Sequence, residues 1–150
     1  MKINWHCKTW DALSKEELYA IIQLRIQVFV IEQNCPYQDL DGKDLKSKHL
    51  FALAEDGSCV ACARLVPPGV SYANYSIGRV VSALHRRGEG IGRELMVRCI
   101  AAIREEKDAN EIRISAQLYL KKFYESLGFI AVGEVYPEDN IPHIQMYLNL

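Results

Sequence analysis

Apolar residues along this chain follow two periods, and the switches between them mark its elements. Ser14 and Glu17 form a capping-box signature, in which each side chain satisfies the other's backbone N–H at a helix start. Leu18, Ile22, Arg25 and Phe29 then recur at helical spacing, with Ile21 and Val28 beside them. This helix is expected to end near Gln33, because Asn34-Cys35-Pro36 is a stop signal. Asp39 through Lys48, rich in Asp, Gly and Lys, is most simply a solvated loop. His49–Glu55 and Ser58–Val66 flank Asp56-Gly57, a two-residue hairpin signal, and Pro67-Pro68-Gly69 closes the second strand. Tyr75–Ser82 is predicted as a further strand. A helix from Gly90 to about Lys107 carries Ile91, Leu95, Val97, Ile100 and Ile103. Ile112–Ala116 is a strand, and Tyr119–Leu127 a short helix ended by Gly128. Phe129–Val135 and Ile144–Leu148 supply two final strands. The pattern is mixed α/β, with hairpins first and strand–helix units after them.

The 150 residues suit one domain with a proper core. A net charge of −1 argues against a nucleic-acid partner, which would call for a basic face. No apolar run approaches the roughly 18 residues of a membrane span, and the N-terminal Met1-Lys2-Ile3-Asn4-Trp5-His6 lacks the apolar core of a signal peptide. The expected compartment is therefore the cytoplasm. The five cysteines show no disulfide framework. Cys59 and Cys62 are three apart in a strand, hence expected on opposite faces, and no further Cys pair or nearby His completes a metal site. No metal is expected.

Chemistry concentrates where the strand ending Arg79-Val80-Val81-Ser82 leads into Arg87-Gly88-Glu89-Gly90-Ile91-Gly92 and then a helix. Glycines let backbone approach a ligand closely, and the free N–H groups of a helix's first turn bind anions. Arg87 and Arg93 add charge to that cradle. A Walker A loop would need Gly-Lys-Ser/Thr, but Gly92 is followed by Arg93-Glu94. A Rossmann fingerprint would need glycine where Arg93 stands. A phosphate-bearing ligand of another class is indicated.

Arg87-x-x-Gly90-x-Gly92 resembles the Gln/Arg-x-x-Gly-x-Gly/Ala loop of the GNAT acyl-CoA N-acyltransferases. Phe123-Tyr124-Glu125-Ser126-Leu127-Gly128-Phe129 is similar to the segment that closes that family's cofactor site, and Arg25 through Gln33 to the first helix of many members. Glu32 through Asp39 and Ile141-Pro142-His143-Ile144 resemble the ElaA-like subgroup. The resemblance covers nearly the whole chain. It implies an α/β fold with a central, twisted, mostly antiparallel sheet whose fourth and fifth strands are a splayed parallel pair, flanked by helices, as one domain over residues 1–150. It also implies acetyl-CoA as co-substrate. The backbone from Gly88 through Gly90, Ile91 and Gly92 to Arg93 would hold the pyrophosphate, beside Arg87. The pantetheine arm would lie between Val80-Val81-Ser82 and Ser115 to Gln117. Tyr124 would protonate the departing thiolate, which suits a phenol (ordinary pKa about 10) facing a thiol that titrates near 8.5. Spacing alone leaves Tyr124 equally a core aromatic.

Many members place a glutamate on the fourth strand to deprotonate the amine acceptor. Here Ser76-Ile77-Gly78-Arg79-Val80-Val81-Ser82 carries no carboxylate, so Glu32, Asp39, Asp41, His49 and His143 remain as bases. Arg25 and Glu32 share a helical stripe, either as structural ion pairs (Arg25 with Glu32 or an Asp) or opening into an acceptor pocket. Arg79 either orients an acceptor carboxylate or forms a structural pair. His143 is either a pocket residue or a satisfied structural histidine. The leading expectation is acetyl transfer to a primary amine, on a small molecule or peptide, by direct attack in a ternary complex. A non-catalytic acyl-CoA-binding module is the alternative, and an unrelated nucleotide-binding domain a remote third. A homodimer is one open arrangement.

Overall fold

The computed structural model describes residues 2–150. Among them the strands are β1 (Ile3–Thr9), β2 (Lys48–Ala54), β3 (Cys59–Val66), β4 (Tyr75–Ser82), β5 (Glu111–Gln117), β6 (Ile130–Glu138) and β7 (Ile141–Asn149). The helices are α1 (Lys15–Arg25), continued as π-helical turns over Ile26–Glu32, then α2 (Ile91–Arg104) and α3 (Lys121–Glu125). The seven strands form one sheet in the order β1-β2-β3-β4-β5-β7-β6. Every neighbouring pair is antiparallel except β4 and β5. This is the mixed sheet with a parallel fourth and fifth strand that the resemblance implies.

The Ser14–Glu17 capping box forms, with Ser14 Oγ accepting from the Glu17 N–H. Beyond it the buried stripe of α1 is Ile21, Leu24, Arg25 and Val28, rotated from the Leu18–Ile22–Arg25–Phe29 stripe expected. Arg25 keeps its place on the apolar face because two aspartates neutralise it there. The helix widens into π turns from Ile26, so that the Gln33 N–H reaches the Val28 carbonyl at 3.0 Å. Such widening often accompanies functional sites. In α2, Leu95, Met96, Cys99, Ile100 and Ile103 are buried, whereas Val97 is half exposed. Met96 and Cys99 take the core positions instead, and the helix stops at Arg104, before Lys107. Both α1 and α2 pack on β3, whose residues are buried throughout. A strand buried on both faces must be covered from both sides.

The structure adds one strand and changes two other expectations. An N-terminal strand, β1, pairs with β2 from Ile3↔Ala54 to Thr9↔Lys48. The register of β2 with β3 shifts, Phe51 facing Cys62 but Leu53 facing Cys59. Since Phe51 and Leu53 share a face, this bulge brings Cys59 and Cys62 onto one face too, contrary to the alternation of a regular strand. Both are buried free thiols, and the Cys59 thiol together with burial holds Cys62 protonated. Finally, the Asp39–Lys48 segment is not a solvated loop: Asp39 and Asp44 are buried, and Lys43–Lys46 forms a turn of 3-10 helix.

Candidate active site

β4 and β5 run side by side only at Tyr75↔Ile112 and Ser76↔Arg113. Beyond these pairs each strand keeps its other neighbour. β4 stays paired with β3 as far as Ser82↔Ala61, and β5 with β7 as far as Gln117↔His143. Each therefore presents one unpaired backbone edge to a gap between them, where N–H and C=O groups need partners. A β4 bulge helps to open it. Cys62 faces Val81 but Arg64 faces Gly78, and within the extra length Arg79 has a φ of 49°. A bulky residue in the left-handed region is strained and needs outside support. The gap belongs to a cavity of about 630 Å³ lined by Ile77–Ser82, Ile114, Ser115 and Gln117, a size typical of small-molecule sites.

The glycine loop forms the cavity's other end. Gly88 and Gly90 have φ values of 88° and 77°, conformations that glycine adopts without strain. Gly90 caps α2 without a side-chain hydrogen bond, and the helix's first internal bond runs from the Glu94 N–H to the Gly90 carbonyl at 3.1 Å. The preceding N–H groups, through Arg93, therefore lack partners within the helix. A Cβ added at Gly92 would meet nothing within 4 Å, and Gly92 lines the cavity. Open space, free N–H donors and a helix dipole fit a pyrophosphate. Arg87 ties the loop to its surroundings, binding Glu32 Oε2 at 2.5 Å and the Ser82 carbonyl at 3.3 Å. Arg93 donates to Ser126 Oγ at 2.9 Å.

Tyr124, on α3, lines the same cavity. It is 6% exposed and sits edge-on to Phe123 and Phe129, with ring centroids 5.2 and 5.9 Å away. Burial, then Tyr119 and Cys99, push its phenol well above the ordinary range. A phenol carries its proton at neutral pH in any case, so the Tyr124 hydroxyl is available as a donor toward the cavity.

On the acceptor side, three arginines and three aspartates hold the segment after α1 against the sheet. Arg25 Nε donates to Asp39 Oδ2 at 2.9 Å, and its Nη1 and Nη2 to Asp44 at 2.7 and 3.1 Å. Arg64 on β3 binds Asp41 with both Nη atoms, at 2.7 and 2.8 Å. Arg79 reaches Asp39 Oδ1 at 2.9 Å and Asp41 Oδ2 at 3.3 Å, which supports its strained backbone. Burial opposes ionisation of Asp41 and Asp44, but the guanidinium groups of Arg64 and Arg25 outweigh it and hold both carboxyls below the usual range. Burial pushes the His49 imidazole down, and its Nε2 donates to the Asp44 carbonyl at 2.9 Å. Two contacts close the cavity further: the amides of Gln33 and Gln117 meet at 3.4 Å, and Cys35 Sγ lies 3.4 Å from the Asp139 carbonyl.

Residues 11–150 match the family described as Acetyltransferase (GNAT) domain. The chain belongs to the GNAT acetyltransferase family. It is 42% identical to Protein ElaA of Escherichia coli over 96% of this chain and 95% of that one. ElaA's crystal structure superposes with a TM-score of 0.89, over 98% and 99% of the two chains at 41% identity. An acyl-CoA N-acyltransferase from Pseudomonas aeruginosa is 45% identical with a TM-score of 0.90, again over 98% and 99%. An aminoglycoside 6'-N-acetyltransferase complexed with coenzyme A shares the fold at 18% identity, with a TM-score of 0.71 over 99% and 97%.

Within this GNAT chain, Val80, Val81, Ser82, Arg87, Gly88, Gly90, Ile91, Gly92, Arg93, Gln117 and Tyr124 all line one cavity, together with Glu32, Arg79 and His143. Arg25 lies elsewhere: its side chain is 3% exposed and bound to Asp39 and Asp44. Glu32 pairs with Arg87, not with Arg25. Ser115 lines the cavity as the resemblance implies, and Gln33, Tyr37 and Glu138 line it too, although polar side chains in loops and at element ends give no sequence signal of that convergence. No helix among the described residues is long and apolar enough to cross a membrane.

Proposed function

We propose that this GNAT protein transfers an acetyl group from acetyl-CoA to a primary amine by direct attack within a ternary complex. One observation carries the reading: the unpaired edges of β4 and β5 open into the same cavity as the glycine loop and Tyr124. CoA supplies the activated acyl group. The free N–H groups from Gly90 to Arg93 bind its pyrophosphate, and the edges from Gly78 to Ser82 and from Ser115 to Gln117 pair with the peptide-like pantetheine arm. Tyr124, whose phenol carries its proton at neutral pH, donates it to the departing sulfur. The described residues include no cluster of three metal-ligating side chains, and the reading gives a metal no role.

The test is acetyl-CoA-dependent thiol release across a panel of primary amines, with acetylated product identified by mass spectrometry. Amine-dependent release is expected. CoA binding without release on any amine would favour the alternative, an acyl-CoA-binding module, to which the missing β4 carboxylate lends support.

A further inference from the structure

β4 supplies no carboxylate, so the proton on an incoming ammonium must be taken by another wall of the cavity. His143 on β7 lies opposite Gln117, at the end of β5 where the gap stands open. It is only 6% exposed yet lines the cavity. Its Nδ1 is 2.6 Å from the Ile141 carbonyl oxygen. A carbonyl can only accept, so Nδ1 carries the hydrogen and the neutral ring keeps its lone pair on Nε2. Nε2 is 3.5 Å from Glu138 Oε2 on β6, close enough to stabilise a positive ring and too long for a tight bond to a neutral one. The carboxylate is itself positioned: Ser115 Oγ donates to Glu138 Oε1 at 3.1 Å and also contacts the Tyr136 hydroxyl. The Tyr136 ring stacks on His143 at 6.1 Å.

Building on the acetyl-transfer reading, we propose that His143 Nε2 is the base that deprotonates the acceptor amine, with Glu138 as the positioning residue that stabilises the imidazolium. The ammonium gives one proton to Nε2, and the freed amine forms a C–N bond to the acyl carbon as the C–S bond breaks. Tyr124 gives its proton to the sulfur and recovers one from the new amide nitrogen. His143 then releases its proton to water, so one proton leaves per turnover. Other groups face this ring or its cavity. Tyr136 and Glu138 stand on β6, with Asp139 in the following turn. Tyr72, whose phenol is pushed up to about 12 by burial and then by Tyr136 and Glu138, approaches from the loop before β4. Across the cavity are Glu32, engaged by Arg87, and Arg79, engaged by Asp39 and Asp41. Glu138 thus provides the carboxylate beside Nε2. Its side chain is 48% exposed, so solvent screens the effect to a modest one.

The test compares wild type, His143→Gln and Glu138→Gln as full chains. It uses the amine panel with acetyl-CoA, calorimetric CoA binding, and NMR titration of the imidazole rings without CoA. For His143→Gln, kcat is expected to fall at least about 100-fold at neutral pH and recover as alkali frees the amine, with CoA affinity unchanged. In Glu138→Gln, kcat should fall about fivefold while the KM for acetyl-CoA and CoA affinity stay unchanged, a split that a merely structural role would not produce. NMR should place the neutral ring's proton on Nδ1. An active wild type with His143→Gln within about threefold of it, or a proton on Nε2, overturns the base while leaving acetyl transfer intact. A wild type that releases no thiol with any amine removes both.

Discussion

Replacing Arg25 with Met removes the guanidinium and keeps most of the apolar stem that packs on the sheet. The guanidinium donates to Asp39 Oδ2, both Asp44 oxygens and the Asp39 carbonyl at 2.7 to 3.3 Å, and all three side chains are about 95% buried. Removing one member of a buried ion pair costs about 3–5 kcal/mol, because the partner charge is left stranded. The lower end applies here. Asp39 keeps Arg79 and Tyr37, and Asp44 keeps a longer contact to Arg64 at 3.4 Å. A loss of about 3 kcal/mol is a large share of a typical 5–15 kcal/mol total. With a urea dependence of about 2 kcal/mol/M, the unfolding midpoint should fall by about 1.5 M with unchanged slope. Adding Asp44→Asn should cost less than the two single losses summed, since the groups interact directly. A midpoint within about 0.5 M of wild type, equivalent to about 1 kcal/mol, would refute the claim that this network pins the acceptor wall.

Tyr124→Phe should lower kcat by about 100-fold or more while leaving CoA affinity nearly intact, since only the proton donor is lost; unchanged turnover would sink the acid role. Gly92→Leu introduces a side chain where nothing stands within 4 Å, so thermal stability should hold while CoA affinity falls at least tenfold, about 1.4 kcal/mol; undiminished affinity in calorimetry would remove the loop from the CoA site. Stability should fall on acidification in two stages. Burial depresses the folded-state pKa of His49, so its contribution is complete above about pH 6.5 and is lost as pH falls. Asp44, held low by Arg25 and Arg64, adds a further loss below about pH 4. A urea midpoint independent of pH between about 8 and 2 would contradict both signs.

What was legible in the sequence was local. The capping box at Ser14 and Glu17, the Asp56-Gly57 hairpin and the bounds of β4 follow from short-range backbone chemistry and appear where expected. The donor half of the cavity was legible for the same reason, because glycine conformation and a helix start lie in adjacent residues. The acceptor half was not. Asp39, Asp41 and Asp44 look like a solvated run until Arg25, Arg64 and Arg79 arrive from three other elements. The bulges in β3 and β4 were hidden as well, although one sets the facing of Cys59 and Cys62 and the other strains Arg79. Regular alternation gives no warning of a residue that drops out of register. β1 is an edge strand with no buried residue on either face, and the Ile3, Trp5, Cys7 alternation in it is brief.

Titration of CoA into the ¹⁵N-labelled protein, followed amide by amide, tests the central claim most directly. Binding should shift the amides of Gly88–Arg93 and those on the open edges of Gly78–Ser82 and Ser115–Gln117. The hollow near Lys15, Tyr19 and Ser58, which shares no lining residue with the gap's cavity, should stay silent. Saturable binding with shifts confined to that hollow, or no binding at all, would contradict the assignment of the β4–β5 gap as the donor site.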